Sequence, residues 1–358
     1  MVGLREAREL VLLGHNQGFL DDLEFALLYD LNNSKNPDFP YWNYAPFELE
    51  NVSEADCWAD FRFNRNDIYR LANVLHLPNH IICYNGTKAN KIEGLCILLK
   101  RFAYPCRYGD MIPRFGRSVP ELSMITNTVL NIIYENYNHK LRTLDQPWLA
   151  PEKLREYADA IQRKGAALNF CWGFIDGTVR PICRPNQNQR IVYNGHKRVH
   201  ALKFQSVVAP NGLIANMFGP MEGRRHDSGM LRESGLLDDL EIHSMDQFGH
   251  NLCIYGDPAY PIRPQLMCPF RGAALTNEQQ NFNTAMSKVR VSVEWIFNDI
   301  INYYKFLDFK KNLKIGLSSI GKMYLVCALL HNARACLYRN NTSTFFDVEA
   351  PSLEEYFI

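Results

Sequence analysis

Between Gly177 and Met221 the chain has no acidic residue, although Arg180, Arg184, Arg190, Lys197, Arg198 and Lys203 all fall there. The imbalance is local, because the formal net charge of all 358 residues is only +1. Residues 1–100 hold 9 Lys+Arg against 14 Asp+Glu, and residues 101–200 hold 15 against 8. Overall charge therefore points to no partner, while the basic stretch is either a surface for a polyanion or a solvated loop face. Ten cysteines contain no C-x-x-C and no finger or ribbon spacing, which argues against a zinc site. No segment approaches the ~18 uninterrupted apolar residues of a membrane span. The first residues, "MVGLREARELVLLGHNQGF", carry acids early and no small-residue cleavage site, so a secretory signal is not expected. A reducing compartment, cytosol or nucleus, is the expectation, although no basic nuclear-import run is visible. Repeats, a G-x-S-x-G elbow, a defensible Cys–His pair and a phosphate-cradling glycine loop are all missing, so hydrolytic chemistry would have to rest on other groups.

What is present divides the chain by texture. Residues 1–60 read as an N-terminal helix and a wrapping loop rich in Asn, Pro and aromatics. Residues 61–140 read as all-helical. Ile68, Leu71, Val74, Leu75 and Leu77 keep a helical period that Pro78 stops. Ser118 and Glu121 form a capping box with Pro120 in the first turn, and Leu122, Ile125, Val129, Ile132 and Ile133 make the buried stripe. With Gly116 in the preceding turn this is a helix-turn-helix pattern, which an ordinary αα-hairpin also satisfies. Residues 141–168 read as a linker helix. From 169 to 340, strand-like runs ("FCWGFIDGTVRPI", "HALKFQSVVAP", "LIANMFGP"), a helix, the strand "NLCIYGD" and two long helices predict an α/β domain with a mixed sheet. Residues 341–358 are left as a C-terminal tail.

Three acids stand out. Asp176 interrupts the first strand, Asp257 ends "LCIYGD", and Glu294 lies inside the long helix "KVRVSVEWIF". Each has a plain alternative: a turn cap for Asp176, a turn former in "YGDPAYP" for Asp257, an ion pair with Arg290 for Glu294. Sites in open α/β sheets lie beyond the carboxyl ends of strands, and both aspartates are placed near strand ends. Three converging carboxylates repel one another unless a cation intervenes, and Mg²⁺ prefers oxygen ligands. Two such ions about 4 Å apart clamp a phosphodiester for in-line attack.

The ordered blocks "GFIDGTVRPICRPNQNQR…RRHDSGML", "YGDPAYP", "SKVRVSVEWIFNDIINYYKFLDFKKNL" and "VCALLHNA" resemble the DDE transposase domain of the PIF/Harbinger superfamily, from about Phe170 to Leu337. The resemblance implies an RNase H-like fold and a metal-dependent site that cleaves DNA and transfers strands. Asp176, Asp257 and Glu294 would be both the catalytic residues and the ligands of Mg²⁺ or Mn²⁺, two ions in all. The family's His-Asp pair falls on His226 and Asp227 as auxiliary residues, with helix capping by Asp227 as the alternative. Trp295 and Phe297 stand where relatives carry a basic residue and a glycine.

Arg198, Arg224, Arg225, Lys288 and Arg290 are candidates for DNA phosphate contact, extended by Lys310, Lys311 and Lys314. The resemblance also implies a nuclear protein, at least a homodimer, and a separate Myb-like DNA-binding partner. A rival reading is a domesticated, catalytically silent DNA- or protein-binding module on the same fold. An HD-type phosphohydrolase built on "RRHDSGML" is the weakest reading, because Asp257 at a strand end fits it poorly.

Overall fold

The computed structural model describes residues 4–32 and 39–358; residues 33–38 of the expected wrapping loop lie outside the described residues. The expected single N-terminal helix is two, α1 (Leu4–Asn16) and α2 (Asp22–Leu31), separated because Asp21 and Glu24 form a capping box that starts a new helix. Two more short helices follow, α3 (Glu54–Phe61) and α4 (Arg65–Val74).

The region read as all-helical contains a small hairpin, β1 (His80–Ile82) and β2 (Lys88–Asn90). Its strands have only three residues each, too few for a period to register in the sequence. Asn90 then caps α5 (Lys91–Ala103) by accepting from the Glu93 amide. Helix α6 (Ile112–Phe115) is a single turn ended by Gly116, at φ 60°. A Cβ there would lie 2.7 Å from the Ala45 carbonyl oxygen, so both conformation and space call for glycine. The Ser118–Glu121 capping box forms as expected and opens α7 (Val119–Tyr137). Leu122, Ile125, Val129 and Ile133 are buried, whereas Ile132 is partly so. The linker helix is α8 (Pro151–Arg163), which packs against the central strand.

That strand, β3 (Cys171–Pro181), organises the sheet. After the one-turn α9 (Gln189–Val192) come β4 (Tyr193–Asn194), β5 (Val199–Val208) and β6 (Ile214–Glu222). β5 is antiparallel to β3, and β6 and the short β4 are antiparallel to β5. On the other side of β3, β7 (Cys253–Tyr255) and β8 (Leu266–Met267) run parallel to it. The order β6-β5-β3-β7-β8, antiparallel on one side and parallel on the other, makes a mixed α/β sheet of the RNase H-like kind. Cys171 to Ile175 are all buried, as expected of a central strand covered on both faces.

The helix expected after "RRHD" is broken by Gly235, at φ 68°, into α10 (Asp227–Glu233) and α11 (Leu236–His243). The long helix is likewise two, α12 (Asn277–Arg290) and α13 (Ser292–Tyr303), interrupted at Val291. There the Ser292 hydroxyl donates to the Val289 carbonyl, and Thr342 donates to the Ser292 carbonyl. Helix α14 (Ile320–Leu337) is buried on nearly every side and touches α7, α13 and β6, joining helical region and sheet through one core. The C-terminal segment is packed rather than loose. Helices α15 (Asn341–Phe346) and α16 (Leu353–Phe357) bury Phe346, Leu353, Tyr356 and Phe357, and the Tyr356 hydroxyl accepts from Asn332 on α14. No described helix is long and apolar enough to cross a membrane.

Candidate active site

The sheet register brings the two aspartates level. Phe174 of β3 pairs with Tyr255 of β7 in parallel, so Asp176 and Asp257 each lie two residues farther along neighbouring chains. Adjacent strands are about 4.8 Å apart, and residues two apart share a face. β7 ends at Tyr255, but β3 continues to Pro181 beside β5, so Asp176 stands where its strand loses one neighbour.

The sequence "YGDPAYP" is built around that step. A Cβ on Gly256 would approach the Tyr260 ring to 2.7 Å and Ile175 to 2.8 Å, so glycine lets both pack beneath the turn. The Asp257 carboxylate accepts the Ala259 amide at 2.9 Å. Asp257 is therefore a turn former, as the plain alternative had it, and its charge nonetheless reaches Asp176.

Glu294 comes from the first turn of α13. Val293, Ile296 and Ile300 are fully buried and orient this helix, leaving Glu294 and Asn298 exposed. Glu294, Phe297 and Asn298 line an open cleft of about 560 Å³ whose other wall is Asp176 to Pro181 with Lys197 and Val199. Phe297 is thus a wall of the cleft. Trp295 turns away to pack edge-on against Phe345.

The electrostatics tie the three acids together. Burial pushes the Asp176 carboxyl up to about 6. Arg290 and the Gly177 amide oppose that rise, and the charges of Asp257 and Glu294 add to it. The Arg290 guanidinium lies 3.0 Å from Oδ2 of Asp176, and the Gly177 N–H donates to Oδ1 at 2.8 Å. The sequence alternative paired Arg290 with Glu294; across the break at Val291 it pairs with Asp176 instead. Arg290 is therefore a partner of the carboxylates before it is a contact for DNA.

A fourth carboxylate adjoins them. A Cβ on Gly177 would come within 2.6 Å of Asp227 Oδ1, which places Asp227 against the strand next to Asp176. Asp227 is held by the buried Lys203, 2.7 Å away, whose ammonium also donates to the Arg225 carbonyl at 2.8 Å. Asp227 makes no cap for α10, and His226 is exposed rather than packed. Beneath the aspartates lies Tyr260. Its hydroxyl is buried without a hydrogen-bond partner, and its pKa is pushed well up by burial and then by Asp227, Asp176 and Asp257.

Among the described residues no three His, Cys, Asp or Glu side chains gather tightly enough to form a metal-binding group. The donor chemistry nonetheless fits a hard cation: carboxylate oxygens whose charges reach one another, with Arg290 standing as the positive charge at Asp176. Of the basic candidates, Arg225 is engaged by Glu222 and Glu233, while Arg198, Arg224 and Lys288 are exposed. Sequence reasoning placed Lys203 only in the basic stretch, whereas it pairs with Asp227, and passed over Tyr260. A lysine inside the apolar strand "HALKFQSVV" was a usable signal; nothing distinguished Tyr260 from a core aromatic.

Comparison with known proteins bears on the same residues. Residues 175–332, which include Asp176, Asp257 and Glu294, match the family described as DDE superfamily endonuclease. The chain is 21% identical over 259 residues to "Protein ALP1-like" of Arabidopsis thaliana, covering 69% of this chain and 61% of that protein. It is 27% identical over 158 residues to "Probable transposase for insertion sequence element IS702" of Microchaete diplosiphon, covering 40% of this chain and 52% of that one. The chain thus spans between about half and three-fifths of the length of these curated relatives. No solved structure matches it.

Proposed function

We propose that this protein, whose residues 175–332 match the DDE superfamily endonuclease family, cleaves DNA phosphodiesters, and joins them as a transposase does, in the cleft between β3 and α13. The observation that carries the reading is the level placement of Asp176 and Asp257 on neighbouring strands, with Glu294 within electrostatic reach. Asp176, Asp257 and Glu294 would hold divalent cations, Mg²⁺ or Mn²⁺, in a pair. When bound, such ions activate the attacking oxygen and neutralise charge on the phosphoryl and leaving oxygens. The chain's own residues orient and balance. Arg290 neutralises Asp176, the Gly177 amide fixes the carboxylate rotamer, and Lys203 holds Asp227 against Gly177 so that its charge faces the site without being free. His226, exposed at the start of α10, can reach an incoming phosphate.

The same proposal includes a nuclear location, a homo-oligomer large enough to hold two DNA ends, and a separate Myb-like partner. A second reading, a binding module without turnover, draws on one observation: Arg290 already supplies the positive charge at Asp176. Nicking of supercoiled plasmid in Mg²⁺ or Mn²⁺ separates the two. Activity that EDTA and Asp176→Asn both remove supports the nuclease; no nicking with either ion, by protein that still binds DNA, supports the module.

A further inference from the structure

Next to the carboxylate cleft is a second, smaller cavity of about 240 Å³, lined by Ile182, Cys183, Arg184, Arg198, Val199, His200, Lys310 and Lys311. Val199 lines both cavities, and Pro181 of the first is followed directly by Ile182 of the second. Three separate pieces of chain build it: the exit of β3, the entry of β5 and the turn after α13. They are fixed to one another. The Ile182 amide donates to the His200 carbonyl at 2.9 Å, and the Cys183 amide donates to the Leu313 carbonyl, also at 2.9 Å, which pins the turn carrying Lys310 and Lys311.

The lining contains four permanent cations and no acid. Several other cations near the surface meet carboxylates: Arg70 meets Asp67 and Glu354, Arg114 meets Asp60, Lys305 meets Asp308. Arg184 instead donates to the neutral Gln189, which orients the guanidinium without cancelling its charge. Arg198 sits at φ 54°, a left-handed conformation that disfavours a side chain with a Cβ. Like charges gathered around one concave space repel one another until an anion enters.

We propose that this cavity is a phosphate-binding subsite that grips the DNA backbone on one side of the cleaved bond. The inference rests on the nuclease reading for its choice of DNA, while the anion chemistry stands on the cavity alone. The strand runs from the carboxylate cleft past Lys197 and Val199, and its phosphates are received by Arg198 and Arg184 on one wall and by Lys310 and Lys311 on the other. Such contacts set register and affinity and carry no base information.

The test is fluorescence anisotropy of a labelled duplex oligonucleotide in EDTA, at several salt concentrations, with the full chain. Lys310 and Lys311 are exposed, so the double variant K310Q/K311Q should keep the fold, which circular dichroism checks. The expected result is a roughly tenfold or greater loss of affinity and a salt slope shallower by about two, with Arg198→Gln alone reducing it by about one. Lys153→Gln, outside the cavity and paired with Glu156, should stay within about twofold of wild type. A double variant with wild-type affinity and slope overturns the subsite, as does wild-type protein whose DNA binding does not depend on salt. The two readings fail separately. Nicking that needs Asp176, combined with unchanged binding by K310Q/K311Q, removes the subsite and keeps the nuclease. Salt-dependent binding that K310Q/K311Q weakens, without any metal-dependent nicking, keeps the subsite and removes the nuclease.

Discussion

Two half-buried arginines in this protein meet carboxylates in opposite ways. In the helical region Arg117 lies between Glu93 and Glu121, with Glu93 held by both guanidinium nitrogens that face it. Glu121 is itself satisfied by the Ser118 amide and hydroxyl at 3.0 and 2.7 Å. The hydrogen bonds that Arg117 donates to Glu93 raise the arginine's pKa, which marks a stabilised pair. In the cleft Arg290 meets Asp176, yet the carboxyl still rises to about 6, because burial and the charges of Asp257 and Glu294 outweigh the guanidinium. The first cluster is balanced within itself. The second is short of positive charge, the condition that invites a cation and marks a functional site.

That comparison can be broken at four points. The largest effect is expected on chemistry: Asp176→Asn, Asp257→Asn or Glu294→Gln should each lower metal-dependent nicking by about 10³-fold or more, which is about 4 kcal/mol of barrier. Residual nicking near wild type in any of the three would remove that residue from the site.

Next comes stability. Glu93→Ala leaves Arg117 with its main partner gone in a buried position, and should cost about 3 kcal/mol in urea unfolding. A loss below 1 kcal/mol would mean the helical cluster is no more than a surface pair.

The third point is pH. Asp176 rises from 3.8 to about 6, so between these values the native state holds more protons than the unfolded chain, and stability falls as pH rises. Asp299, also raised to about 6 by burial, acts in the same direction. The buried His331 falls from 6.5 to about 4, so the unfolded chain holds the extra proton and stability rises with pH over nearly the same window. Two acids act against one histidine, so without metal the wild type should lose stability on the order of 2 kcal/mol from pH 4 to 6. His331→Gln should roughly double that decline, and Asp176→Asn should flatten it. Parallel stability curves for wild type and both variants would contradict the shifts.

The smallest effect is expected from Arg290→Gln. Asp176 can answer the loss by taking a proton, so stability near pH 5 should change by less than about 1 kcal/mol. Calorimetric titration with Mn²⁺ at pH 7.5 should then show tighter binding than in wild type, since the guanidinium no longer shares Oδ2. Weaker binding would instead make Arg290 part of the support for the ligands.

How much of this was legible in the chain depends on the range of the interaction. The Ser118–Glu121 capping box, most of the buried face of α7 and the strand character of β3 arise from residues within a few positions of one another, and these are present as read. The breaks at Gly235 and Val291 were not read. The first is a left-handed glycine inside an otherwise helical pattern, and the second depends on the Ser292 carbonyl turning to Thr342, 50 residues away. The hairpin of β1 and β2 is too short to carry a period, and the packing of α15 and α16 depends on the surface of α14.

By itself the sequence determined which residue types stand at the site and which local elements hold them: acids after apolar strands, a glutamate on an amphipathic helix, a stretch of basic residues without acids. Only the tertiary structure decided which charge answers which. Parallel register set Asp176 beside Asp257, Arg290 turned to Asp176 rather than to Glu294, and Lys203 took Asp227. The reason is that charge pairing strengthens as distance and solvent are removed, and for residues far apart in the chain both are set by how the sheet and helices pack.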